Sequence, residues 1–89
     1  MRIKKGFVIE NVAGSYLACA TGKLAAEFSA LIRLNESGAF FWEVLSERDV
    51  SEEELVDIAA ERYGVDRETV ASDISAFLAV IRKNGILEE

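Results

Sequence analysis

The sequence predicts an α+β fold: a three-stranded antiparallel sheet followed by three helices, arranged like a winged helix-turn-helix. Three observations carry this. The first third of the chain holds short runs of strand-forming residues separated by turn signals. The stretch Leu31 to Trp42 then passes from apolar/polar alternation, through Asn35, into an aromatic segment at helical spacing. Finally, two segments that each open on a capping residue are joined by the tight turn Tyr63-Gly64-Val65.

The opening residues Met1 to Gly6 are basic (Arg2, Lys4, Lys5) and read as a loose leader into the first strand. Phe7 to Val12 is rich in strand formers. Ala13-Gly14-Ser15 signals a turn, so residues 16–20 are expected to pair with the first strand as a hairpin. Thr21-Gly22 breaks that strand. Lys23 to Phe28 is expected to form a short helical or irregular turn, and Ser29 to Leu34 the third strand.

Helix one is expected over about 36–46. Asn35 supplies a side-chain acceptor for free N–H groups in the first turn, and Glu36 places negative charge where the helix dipole favours it. Phe40, Phe41, Trp42, Val44 and Leu45 read as core. Gly38 destabilises a helix relative to Ala, which suggests close packing against the strand.

Helix two, about 52–63, opens on a capping box: Ser51 can bond the Glu54 N–H, and Glu54 can reach back to the Ser51 N–H. Val50 and Leu55 occupy the staple positions, Leu55, Ile58, Ala59 and Arg62 share one face, and Gly64 supplies a left-handed stop. Helix three, about 67–84, repeats the device with Asp66 as cap and Val65 and Val70 as staple. Its apolar stripe is Val70, Ile74, Phe77, Leu78 and Ile81. Arg82 and Lys83 suit the last turn, Gly85 ends the helix, and Ile86 and Leu87 can fold back onto the core.

The totals bound the function. Eighty-nine residues make one domain, 1–89, and a hydrophobic fraction of 51% gives it enough apolar surface to fold. Sixteen acidic against ten basic residues give a net charge of −6, which counts against nucleic acid as a partner. The sequence contains no His and one Cys, Cys19, so the usual zinc ligands and an internal disulfide are both missing, and Cys19 reads as a small half-buried strand residue. No signal peptide precedes the first strand and no apolar run approaches the roughly 20 residues of a membrane helix. The expected location is the cytoplasm.

Catalysis finds no support: there is no His for proton transfer, no phosphate-binding glycine loop and no nucleophile beside a base. The helix pair would ordinarily suggest DNA binding. Its second helix, however, opens Asp66-Arg67-Glu68-Thr69 with Arg67 as the one basic side chain, and helix two opens on three glutamates. Peptide binding fits better. A three-stranded sheet leaves an edge whose free N–H and C=O groups template an incoming strand, with selectivity from the pockets that alternate side chains fill. The same edge could instead pair with a second copy, giving a homodimer.

The residues also carry a family resemblance. Leu34-Asn35-Glu36-Ser37-Gly38-Ala39-x-x-Trp42 resembles the LN-x-(T/S)-(G/A)-x-x-x-W signature of the PqqD family, whose fold is the RiPP recognition element. The similarity continues through Ser51-x-x-Glu54-Leu55, Tyr63-Gly64-Val65, Val70-x-x-Asp73-Ile74-x-x-Phe77-Leu78 and Asn84-Gly85-Ile86-Leu87, covering about two thirds of the chain. The resemblance implies a module without catalysis, cofactor or metal. It would bind the leader segment of a ribosomally made precursor peptide as an added strand, and present it to a modifying enzyme, often a radical SAM protein. Carried onto this chain, the strand contacts fall on Ser29, Ala30, Leu31, Ile32 and Arg33. Helix three offers two flanks, Asp73, Phe77, Val80 and Asn84 on one and Ala71, Leu78 and Arg82 on the other. The first is taken as the groove wall. Leu34, Asn35, Gly38 and Trp42 are read as scaffold.

Overall fold

The computed structural model describes residues 1–22 and 32–89; the expected turn over 23–28 and the first half of the expected third strand, 29–31, lie outside the described residues. The elements run β1 (Arg2–Ile3), β2 (Phe7–Val12), β3 (Ser15–Ala20), β4 (Ile32–Leu34), α1 (Glu36–Glu47), α2 (Glu52–Tyr63), α3 (Arg67–Lys83) and β5 (Leu87–Glu88). The three-stranded antiparallel sheet has the order β2-β3-β4, and the three helices follow it. Pairing runs from Phe7↔Ala20 to Val12↔Ser15 across the hairpin and from Ala18↔Ile32 to Tyr16↔Leu34 at the third strand. The hairpin turns on Ala13 and Gly14, both at positive φ (53° and 83°), the hand that matches the twist of the flanking strands.

This register gives the sheet two faces. Phe7, Ile9, Tyr16, Ala18, Ile32 and Leu34 point toward the helices and join one apolar cluster with Phe41, Trp42, Leu45, Leu55, Ile74, Leu78 and Ile81. Phe7 meets Trp42 edge to face at 5.8 Å between ring centroids, and Phe41 meets Phe77 at 5.5 Å. Trp42 and Phe41 are core residues as expected, whereas Phe40 is half-buried, edge-on to Tyr63 at 5.7 Å with the Arg62 guanidinium 5.1 Å above its ring.

The caps explain where the helices start. The Asn35 Oδ1 accepts from the Gly38 N–H at 2.7 Å, and Ser51 and Glu54 form the full capping box at 3.0 and 3.1 Å. Gly64 stops α2 at φ 63°. Asp66 departs from expectation: it occupies the cap position in an extended conformation, but its side chain makes no capping bond. Its staple is also open, because Val65 is 40% exposed while Val70 is buried. The apolar face of α2 is rotated slightly, with Leu55, Val56 and Ala59 buried and Ile58 half-buried.

The basic opening is not a loose leader. Ile3 is buried, Arg2 and Ile3 pair with Glu88 and Leu87, and Arg2 Nε bonds Glu88 at 3.0 Å. A two-stranded sheet of β1 and β5 results. The pairing is possible because Gly85 (φ 71°) turns the chain back after α3 and buries Ile86. A two-residue strand has no periodicity to reveal it.

Candidate functional site

Strand β4 is the end strand of its sheet among the described residues, so its outer backbone edge has no strand neighbour there. An open groove of about 410 Å³ lies beside it. One wall is Arg33, Leu34 and Asn35, the floor is Ser37, Gly38 and Phe41 from the start of α1, and the other wall is Asp73, Ala76, Phe77 and Val80 of α3. Gly38 lets the start of α1 lie close to the strand. A Cβ there would stand 3.0 Å from the Asn35 Oδ1 and 3.5 Å from the Leu34 Cβ.

The chemistry of the groove is mostly apolar. Phe77 and Leu34 show small faces of otherwise buried side chains, and Val80 is 46% exposed, a β-branched aliphatic held in solvent on a helix surface. Arg33 and Asp73 are exposed. Next to the groove and sharing Asn35 and Ser37 with it, a polar hollow extends to Glu36 and Tyr63. Partial burial raises the Tyr63 phenol above its ordinary pKa.

Of the residues singled out from the sequence, Arg33, Asp73, Phe77 and Val80 come together on this groove, and Ile32 is buried one residue before it. Ser29, Ala30 and Leu31 lie outside the described residues. Asn84 stands apart from the lining, its side-chain amide donating to the Val80 carbonyl at 2.8 Å to close the end of α3. The opposite flank of α3 is otherwise engaged: Leu78 is fully buried, Arg82 bonds Glu89, and Ala71 lies near the acidic start of α2. Leu34, Asn35 and Gly38 are structural and line the groove as well. Phe41, Ala76 and Ser37 line it without having been singled out. Their signal was available in part, since Ser37 and Phe41 are one turn apart and Ala76 and Val80 likewise.

Features that would suggest other chemistry are missing among the described residues. No group of three or more His, Cys, Asp and Glu side chains is placed to hold a metal. No helix is long and apolar enough to cross a membrane. Arg67, the one basic side chain opening α3, is paired with Asp57.

Comparison with known proteins agrees with this geometry. A solved structure described as TbiB1 in complex with the TbiA(beta) leader peptide superposes with a TM-score of 0.70 at 26% sequence identity, covering 99% of this chain and 95% of that one. No curated protein matches the sequence. The family model for coenzyme PQQ synthesis protein D (PqqD) matches residues 20–87, the span that holds β4, all three helices and every described wall of the groove. The chain belongs to the PqqD family.

Proposed function

We propose that this protein is a non-catalytic recognition module that binds the leader segment of a ribosomally synthesised precursor peptide by strand addition. The observation that carries the proposal is the β4 edge, without a strand neighbour among the described residues, beside a mainly apolar groove walled by α3, in a fold shared with a protein solved in complex with a leader peptide. Main-chain bonds to β4 supply affinity that is independent of sequence, and the Phe77 and Val80 wall receives alternate side chains of the incoming strand. Ser29, Ala30, Leu31, Ile32 and Arg33 form the strand side of the contact, and Asp73, Phe77 and Val80 the helix side. Asn84 takes part by closing the end of α3.

The bound leader is presented to a modifying enzyme, of the radical SAM type. The domain supplies no catalytic group of its own and works in the cytoplasm beside that enzyme. A DNA-binding role is disfavoured by the pairing of Arg67 with Asp57 and by the glutamates that open α2. The test is an amide NMR titration of the labelled protein with a precursor leader peptide and, separately, with a DNA duplex. Shifts concentrated at residues 32–34 and at Asp73, Phe77 and Val80 on adding peptide are expected. Shifts around Arg67 on adding duplex, with none from a panel of leaders, would replace this reading with a nucleic-acid one.

A further inference from the structure

Two charges of opposite sign border the groove without satisfying each other. Arg33 stands on its strand wall and Asp73 on its helix wall, and among the described residues neither makes an ion pair or side-chain hydrogen bond. Among the described residues Arg2, Arg67 and Arg82 each hold a carboxylate, and Arg62 stacks over Phe40. Every other α3 residue on the groove, Ala76, Phe77 and Val80, is apolar.

The pleat fixes what each charge can meet. Ile32 and Leu34 point inward and are buried, so Arg33 projects from the opposite face of the sheet. In a strand added to β4, the residue beside Arg33 projects on that same outer face, and its two sequence neighbours project toward the groove. The groove they enter is walled by Asp73, Ala76, Phe77 and Val80.

Resting on the peptide-binding reading above, we infer that this groove selects leaders by a charge register. The docked strand carries an acidic residue beside Arg33, flanked on both sides by apolar residues that enter the groove. A Lys or Arg two residues beyond one of those apolar positions, and therefore on the same face, meets Asp73. Simple attraction to a protein of net charge −6 would favour basic peptides throughout. The acidic position beside Arg33 is what separates a register from that general preference.

The test is selection from a displayed library of random twelve-residue peptides on wild type, Arg33→Glu, Asp73→Lys and, as a groove-blocked control, Val80→Asp. All three positions are exposed, and thermal melts verify that each variant is folded. Wild type is expected to enrich apolar-acidic-apolar cores with a basic residue at the stated spacing. Arg33→Glu should convert the acidic position to Lys or Arg, and Asp73→Lys should convert the basic position to Asp or Glu. For individual peptides, each matched pair should tighten Kd roughly twofold to fivefold over the mismatched one. Binders that Val80→Asp abolishes but whose charges do not follow the two reversals would overturn the register and leave peptide binding standing. Failure to enrich any groove-dependent binder would overturn both.

Discussion

The pair Asn35 and Gly38 offers a sharp test of how α1 is built. The Asn35 Oδ1 sits 2.7 Å from the Gly38 nitrogen and also accepts from the Ser37 hydroxyl at 3.1 Å, so Asn35→Ala removes an N-cap worth about 1 kcal/mol. Gly38→Ala alone acts in two directions. Alanine is about 0.8–1 kcal/mol better than glycine within a helix. Its Cβ would stand 3.0 Å from that same oxygen, which must give by a few tenths of an ångström, weakening the cap by up to about 1 kcal/mol. The single change is expected to be close to neutral. In the Asn35→Ala background the oxygen is gone, and the next neighbour, the Leu34 Cβ at 3.5 Å, is an ordinary contact. There Gly38→Ala should stabilise by most of its helix-propensity gain, returning the double variant close to wild type. The coupling is therefore about 1 kcal/mol, read from urea unfolding of the four proteins, or about 4–8 °C in Tm for a domain of this size. Additivity within about 0.5 kcal/mol, with Gly38→Ala stabilising the wild type as much as it stabilises the Asn35→Ala background, would refute the reasoning.

Other consequences follow from the same geometry. Val80→Asp, on an exposed position, should change stability by less than about 0.5 kcal/mol while abolishing leader binding in a fluorescence titration. Ile3→Ala removes a buried side chain and should lower unfolding free energy by roughly 2–4 kcal/mol in urea; a truly loose leader would give no change. The hydrogen bond from the Ser51 backbone N–H holds the Glu54 carboxyl below its ordinary pKa. Its contribution should be complete above the ordinary glutamate value of about 4.3 and fade as pH falls through the lowered one, so Glu54→Gln should flatten the acid limb of a stability-versus-pH curve. If copies of the chain pair through β4, peptide and partner compete for one edge, and sedimentation should show leader peptide dissolving any dimer.

Sequence reasoning was strongest where local chemistry and long-range packing agree. The Ser51–Glu54 box, Gly64 and the stripe from Val70 to Ile81 each act within a turn or two of chain, so their residue types announce them. Asp66 carries the same residue-type signal, yet its side chain makes no capping bond. A residue type marks where a cap can form, and side-chain conformation decides whether it does. Strands β1 and β5 were illegible because each is two residues long and its partner lies more than eighty positions away. The groove was half legible. A helical wheel groups Asp73, Phe77 and Val80, but which flank of α3 faces β4 depends on how the helix lies against the sheet. Asn84 sits on the same flank one step past the last turn, where its amide closes the helix end.

The pairing of β1 with β5 has a consequence for how such a domain can be assembled into larger proteins. Both strands lie side by side, and Arg2 and Ile3 border the same hollow as Leu45, Ser46 and Glu47 at the far end of α1 from Ser37 and Gly38. Ten residues of helix separate those two ends of α1, about 15 Å. Polypeptide joined ahead of Arg2 or beyond Glu88 would leave the domain from one small patch at the end of α1 opposite the β4 groove. The domain is thereby suited to being carried as a cassette, spliced between two segments of a host protein or tethered by either end, with the β4 groove at the opposite end of α1.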